Sequence, residues 1–182
     1  MKIFTSSLLL LGFFASWALA TSPYGLSPQE TYQMVQKHGD EILFIDVRDP
    51  VEIQFVGFTD TVDRVIPFRI AQRDEWNEDT GGHLMRLNEV FLEQVQAALD
   101  EKGLDEEARI ITMCRTGSSR GEPSATYLRE GGFPNSYFVI NGFQGEKLTE
   151  GPHAGWRRKN GWQNSNLPWG EALDRDKVFQ DE

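Results

Sequence analysis

The chain is predicted to have an α/β fold, a central parallel sheet with helices on both faces, in a single domain. Two observations predict this. Apolar runs of strand length alternate with segments of helical periodicity along most of the sequence. One such run, Ile110-Ile111-Thr112-Met113, ends in a polar, Gly-rich loop that opens the next helix, and in parallel sheets sites form at the carboxyl ends of strands.

Each element has its own local reason. Ser27-Pro28-Gln29-Glu30 is a capping box with Pro at the first helical position, so a helix runs over 28–38 and stops at Gly39. Ile42-Leu43-Phe44-Ile45 is a buried strand that leads into Asp46-Val47-Arg48-Asp49-Pro50. Residues 50–55 suit a short helix. Val65-Ile66-Pro67-Phe68 suits an edge strand, where Pro is tolerated. Residues 71–87 form a long polar segment with Trp76 and Gly81-Gly82, and this is read as an insertion. Val90, Phe91, Val95, Ala98 and Leu99 make the apolar stripe of a helix within 88–102. After the strand at 110–113, a helix is expected over 123–130, with Pro123 in its first position and Gly131-Gly132 as its stop. A last strand spans 137–140.

The N-terminus carries a different signal. Lys2 supplies a charge, residues 3–17 are mostly apolar around Leu8-Leu9-Leu10-Leu11, and Ala18-Leu19-Ala20 is a small-x-small cleavage site. Residues 1–20 therefore read as a secretory signal peptide, which places the domain at 21–170 in an exported, periplasmic setting, with an acidic C-terminal tail at 171–182. Cleavage removes Lys2 and no acidic residue, taking the formal net charge from −10 to −11. Such a charge argues against nucleic acid or an anionic membrane surface as partner. His38, His83 and His153 lie far apart without metal-ligand spacing, and the sequence implies no cofactor.

The chain has one cysteine, Cys114, so an exported domain here has no intrachain disulfide and must stand on its core. Cys114 closes the 110–113 strand and opens Arg115-Thr116-Gly117-Ser118-Ser119-Arg120-Gly121. A loop of this kind turns successive backbone N–H groups into one concavity, and the following helix adds positive potential. With Arg115 and Arg120 it favours an anionic sulfur at Cys114 and the binding of an anionic substrate. Most lone cysteines are inert and buried, but this setting favours a nucleophile.

At these positions the chain resembles the rhodanese-like domain family, over residues 27–169. The resemblance rests on Asp46-Val47-Arg48-Asp49-Pro50-Val51-Glu52, on Cys114-Arg115-Thr116-Gly117 with a helix ending in Gly132-Phe133, and on Asn141-Gly142-Phe143-Gln144-Gly145 with Leu167-Pro168-Trp169. It implies a rhodanese-like α/β fold and a catalytic Cys114 that carries sulfane sulfur as a persulfide. Arg115, Thr116, Gly117, Ser118, Ser119 and Arg120 would then bind substrate, and Asp46 and Arg48 would brace the loop. The implied partners are a small anionic sulfur donor and either a thiol acceptor or a partner protein.

The chain also departs from the family's usual pattern. Gly57-Phe58-Thr59-Asp60 stands where a Gly-His-Ile-Pro-Gly run is common, and residues 71–87 and 146–169 are extra. Trp156, Trp162 and Trp169 in the second of these either roof the pocket or cover the sheet edge. Five residues separate Cys114 from Arg120, where sulfurtransferase loops commonly have four. The longer spacing resembles dual-specificity phosphatases and arsenate reductases of the same fold, in which Arg120 would clamp an oxyanion and Glu122 would be a candidate acid. Those enzymes usually carry His where Met113 stands, so sulfur transfer is the leading expectation. A cysteine phosphatase or arsenate reductase and a non-turnover persulfide carrier are the alternatives.

Overall fold

The computed structural model describes residues 22–178. The signal-peptide reading of residues 1–20 therefore lies outside the described residues.

In chain order the elements are β1 (Gly25–Leu26), α1 (Pro28–His38), β2 (Ile42–Asp46), α2 (Pro50–Val56), β3 (Arg64–Val65), β4 (Arg69–Asn77), β5 (Gly82–Leu87), α3 (Phe91–Lys102), β6 (Arg109–Met113), α4 (Gly121–Glu130) and β7 (Ser136–Val139). Five strands form a parallel sheet in the order β1-β7-β6-β2-β3. β2 and β6 pair in register from Ile42↔Arg109 to Asp46↔Met113, and the Val47 N–H continues the ladder to the Met113 carbonyl at 2.9 Å. The ends of β2 and β6 thus lie side by side, and Asp46 and Cys114 share one edge of the sheet.

Both faces are covered, which is why β2 is apolar at four successive positions rather than at every second one. Leu43, Ile45 and Ile110 point to one face, where α3 and α4 supply Phe91, Val95, Leu99 and Leu128. Ile42, Phe44, Ile111 and Met113 point to the other, where they meet Ile53 of α2, Phe143 and Trp162, with Tyr32 and Val35 of α1 packed against them. α1 begins as its sequence dictates. Ser27 Oγ accepts from the Glu30 N–H, and the Glu30 carboxylate accepts from the Ser27 N–H at 2.8 Å.

The structure changes several sequence-based expectations. The polar insertion at 71–87 is an antiparallel hairpin, β4 and β5, with a register irregularity between Gln72 and Trp76. Its alternation is blurred because both faces are largely solvated, so little in its pattern separates strand from loop. Its base is tied down by Asp49, whose carboxylate accepts from the Val51 N–H as the α2 cap and from the Ala71 N–H. β1 spans two residues, too few to carry a periodicity in the sequence. The edge strand is shorter than expected. The last helix begins at Gly121 rather than at Pro123, which is its third residue. Residues 171–178 fold back, with Leu173 and Val178 against the second core cluster, a parallel bridge from Val178 to Val65, and Lys177 Nζ donating to the Asp60 and Val62 carbonyls.

Candidate active site

The loop between β6 and α4 is built around Cys114. The residue is fully buried, and its sulfur accepts from the Gly117 N–H at 3.2 Å. Ser119 Oγ lies 3.8 Å from the sulfur and 3.3 Å from Thr116 Oγ1. Ser118 and Ser119 are exposed, and Thr116 is half-buried. Arg120 is the N-cap of α4, so six residues separate Cys114 from the helix and the extra loop residue stays in the loop.

Two glycines fix this geometry. Gly117 has φ +85°, and a Cβ on it would stand 2.7 Å from the Asn141 nitrogen and 2.9 Å from the Val139 oxygen. Gly142 has φ +55°, and a Cβ there would stand 2.1 Å from the Cys114 carbonyl oxygen. The segment after β7 can therefore press against the loop. Phe143 N–H donates to the Cys114 carbonyl at 2.7 Å, and the Gln144 and Gly145 N–H groups donate to the Arg115 carbonyl at 2.9 and 3.1 Å. With these loop carbonyls held from outside, the Gly117 N–H is free to face the sulfur.

Asp46 and Arg48 form a wholly buried ion pair. Arg48 Nε donates to Asp46 Oδ1 at 2.9 Å and Nη2 to Oδ2 at 2.5 Å. Nη2 also reaches the Gly57 carbonyl at 3.1 Å, and the guanidinium lies 4.3 Å from the centre of the Phe143 ring. The pair ties the end of β2 to the end of α2 and to the segment that supports the cysteine loop.

The two loop arginines have different surroundings. Arg120 makes a two-pronged pair with Glu52 in the first turn of α2, Nη1 to Oε2 at 2.7 Å and Nη2 to Oε1 at 2.9 Å. Burial pulls the Arg120 pKa down, but hydrogen bonding to Glu52 and its charge, with smaller contributions from Cys114 and Asp46, leave it above the usual value. Arg115 has no carboxylate within ion-pair distance among the described residues. Its Nε donates to Gln144 Oε1 at 2.7 Å. Its pKa is lowered, first by burial and then by the neighbouring Arg157 charge.

The tail tryptophans neither cover the sheet edge nor close over Cys114. Trp162 is fully buried in the core, 5.6 Å from the Phe44 ring centre. Trp156 and Trp169 are half-exposed and line an open cavity of about 510 Å³ beside Arg115. The sequence reading gave no role to Glu52, Gln144 or Arg157. Arg157-Arg158-Lys159, three adjacent cations in an acidic chain, was the available signal for the last of these. Glu122 is exposed in the first turn of α4. Among the described residues no group of three or more His, Cys, Asp or Glu side chains is placed to hold a metal.

A five-stranded parallel sheet with a cysteine loop at its carboxyl edge defines a class of α/β domains. Residues 27–147 match the family described as the Rhodanese-like domain, and the chain belongs to that family. Among solved structures it is similar to Rv0390 from M. tuberculosis, at 26% identity and TM-score 0.58 over 81% of this chain and 97% of that one. It is also similar to the polysulfide-sulfur transferase homodimer from Wolinella succinogenes, at 28% identity and TM-score 0.39 over 65% and 68%. A rhodanese-related protein from Thermoplasma volcanium matches at 16% identity and TM-score 0.44 over 81% and 98%. A comparison with curated proteins gives no match.

Proposed function

We propose that the protein is a sulfurtransferase that moves sulfane sulfur from thiosulfate or a polysulfide to a thiol acceptor through a persulfide on Cys114. The Cys114 thiolate attacks the outer sulfur of thiosulfate. A new S–S bond forms, the donor's S–S bond breaks, and sulfite leaves with the bonding pair. An acceptor thiolate then attacks the outer sulfur of the persulfide, giving an acceptor hydropersulfide and returning the Cys114 thiolate. The Gly117 N–H supports the negative charge on sulfur at each stage. Cys114 is fully buried with Ser119 Oγ 3.8 Å from its sulfur, so the loop must open for the donor to reach it.

Family membership supports this reading, and one observation favours it over oxyanion cleavage. Arg120, the residue a phosphatase loop would use as its clamp, already has both terminal nitrogens on the Glu52 carboxylate. A phosphate or arsenate would have to displace that carboxylate, whereas a terminal sulfane sulfur needs backbone N–H groups. Arg115, with no carboxylate partner, is the group that attracts the anionic donor.

The test is intact-mass measurement before and after thiosulfate. The expected result is a gain of one sulfur atom, reversed by a thiol and absent in Cys114→Ser. No gain would remove the reading. Robust aryl phosphate hydrolysis that collapses in Arg120→Ala would put the phosphatase alternative first. Loading without multiple turnover would favour a carrier. We also propose that the chain is exported and works in the periplasm, from the charge at Lys2, the apolar run and Ala18-Leu19-Ala20. N-terminal sequencing of native protein should find Thr21 or a residue close to it; finding Met1 on a soluble cytoplasmic form would overturn this.

A further inference from the structure

Beside the cysteine loop, the segment that follows Gly145 encloses an open cavity of about 510 Å³ whose lining includes Arg115, Lys147, Trp156, Arg157, Arg158 and Trp169. Four of these are cations, on a chain of net charge −10. No carboxylate of the described residues pairs with any of the four. Their positive charges therefore act on one another, and the Arg157 charge is the second cause that lowers the Arg115 pKa, after burial. Gathering unpaired cations is unfavourable unless something anionic comes between them.

The cavity is shaped before any ligand arrives. Leu148 N–H donates to the Trp156 carbonyl and Gly155 N–H to the Leu148 carbonyl, each at 2.8 Å. Arg157 Nη1 donates to the Gly145 carbonyl at 2.6 Å, which fixes its guanidinium near the loop. Arg158 lies 4.8 Å from the Trp156 ring centre, and the edge of Trp169 is set against Phe143. Two indoles supply apolar surface, and the cations surround it. The volume falls in the range of small-molecule sites, roughly 300–1,000 Å³, and is far more than thiosulfate needs.

We propose that this cavity is a subsite for the non-reacting part of the sulfur acceptor, and that the acceptor is a peptide-sized thiol bearing two or more carboxylates. This rests on the sulfurtransferase reading above and names the substrate class for it. Arg115 belongs to both the cysteine loop and the cavity, so the cavity adjoins the loop that holds Cys114, and the carboxylates of an acceptor seated there meet Lys147, Arg157 and Arg158. The two indoles hold the body of the ligand between its charges. On a negatively charged molecule, such a patch selects polyanionic thiols over neutral or cationic ones.

Two measurements test it. The first is calorimetric binding of S-methylglutathione, a thiol-blocked peptide with two carboxylates, to the wild type and to Lys147→Ala/Arg158→Ala. The second is the ratio of kcat/KM for mercaptosuccinate to that for 2-mercaptoethanol, with thiosulfate as donor. Binding is expected in the wild type and should weaken by about five-fold or more in the double variant, the size expected for losing two exposed charge contacts. The ratio should favour mercaptosuccinate and fall by a similar factor, with recovery in the charge-conserving Lys147→Arg/Arg158→Lys. No binding by the wild type, no preference for the dicarboxylate, or a preference that survives the double variant would overturn the proposal. Intact-mass loading of the wild type separates the two levels. Absence of the sulfur adduct sinks the sulfurtransferase reading, whereas the binding arm needs no persulfide and decides the subsite independently.

Discussion

Of the glycines around the loop, Gly142 has the least room for a side chain. Any side chain there places its Cβ 2.1 Å from the Cys114 carbonyl oxygen, and φ +55° is strained for alanine. Gly142→Ala should therefore cost about 2–5 kcal/mol, from left-handed strain plus overpacking, measured by urea denaturation. On the proposed function, sulfur transfer should fall with it, because the displaced atom belongs to the peptide group of Cys114. The Arg120–Glu52 pair is a second case. Its side chains are 11% and 21% exposed, so it is neither a surface pair nor a fully buried one. Arg120→Ala and Glu52→Gln should each lose about 1–3 kcal/mol, and the double variant should lose clearly less than the sum, since each single change removes the same interaction. Arg120→Ala should slow thiosulfate transfer by less than about ten-fold, since charge-assisted hydrogen bonds are worth about 1.5–3 kcal/mol and this one is made to Glu52. A larger kinetic loss with unchanged stability would mean that Arg120 contacts the substrate.

At the scale of the element, α1 shows how closely a local signal can specify an end. Ser27→Ala removes the Oγ acceptor and should cost about 1 kcal/mol at pH 7. The reciprocal arm of the box adds a pH signature. The Glu30 pKa is lowered, first by the Ser27 hydroxyl and then by its backbone N–H. A depressed carboxylate stabilises the fold above its unfolded pKa and loses that contribution as pH falls through the lower folded value. The destabilisation by Ser27→Ala should therefore shrink in acid, which urea titrations at neutral pH and near pH 3 would detect. An equal loss at both would assign the whole effect to the hydroxyl–backbone bond. The hairpin β4–β5 is the contrasting element. A strand pair solvated on both faces carries neither the continuous apolar run of β2 and β6 nor an apolar alternation, so its polar sequence does not mark it as strand.

At the scale of the molecule, one sheet separates two apolar layers, and β2 contributes to both. Neither layer can be lost without exposing the other side of the same strand. Phe44→Ala and Leu99→Ala sit in opposite layers, and each should cost about 2–5 kcal/mol. Each should move a single transition, with tryptophan fluorescence and far-ultraviolet circular dichroism superimposing, as a cooperative unit requires. Trp162, packed against Phe44, reports the second layer directly. Two separate transitions in either variant would show that the layers unfold independently.

The sequence by itself determined the features that depend on neighbours in the chain. The α1 cap, the buried apolar runs of β2 and β6, the placement of Cys114 and Asp46 at strand ends, and the family resemblance are all written in contiguous residues. Their physics is local, in hydrogen bonds three residues apart and in burial periodicity. The tertiary structure decided what depends on residues meeting across the fold. It gave Arg120 to Glu52, 68 positions away, rather than to the open loop. It sank Trp162 into the core while leaving Trp156 and Trp169 beside Arg115. It brought Lys147, Arg157 and Arg158 to the cysteine loop as unpaired charge. Pairing of charges at long separation leaves no periodic trace in a sequence, because the partner is chosen by how the chain packs.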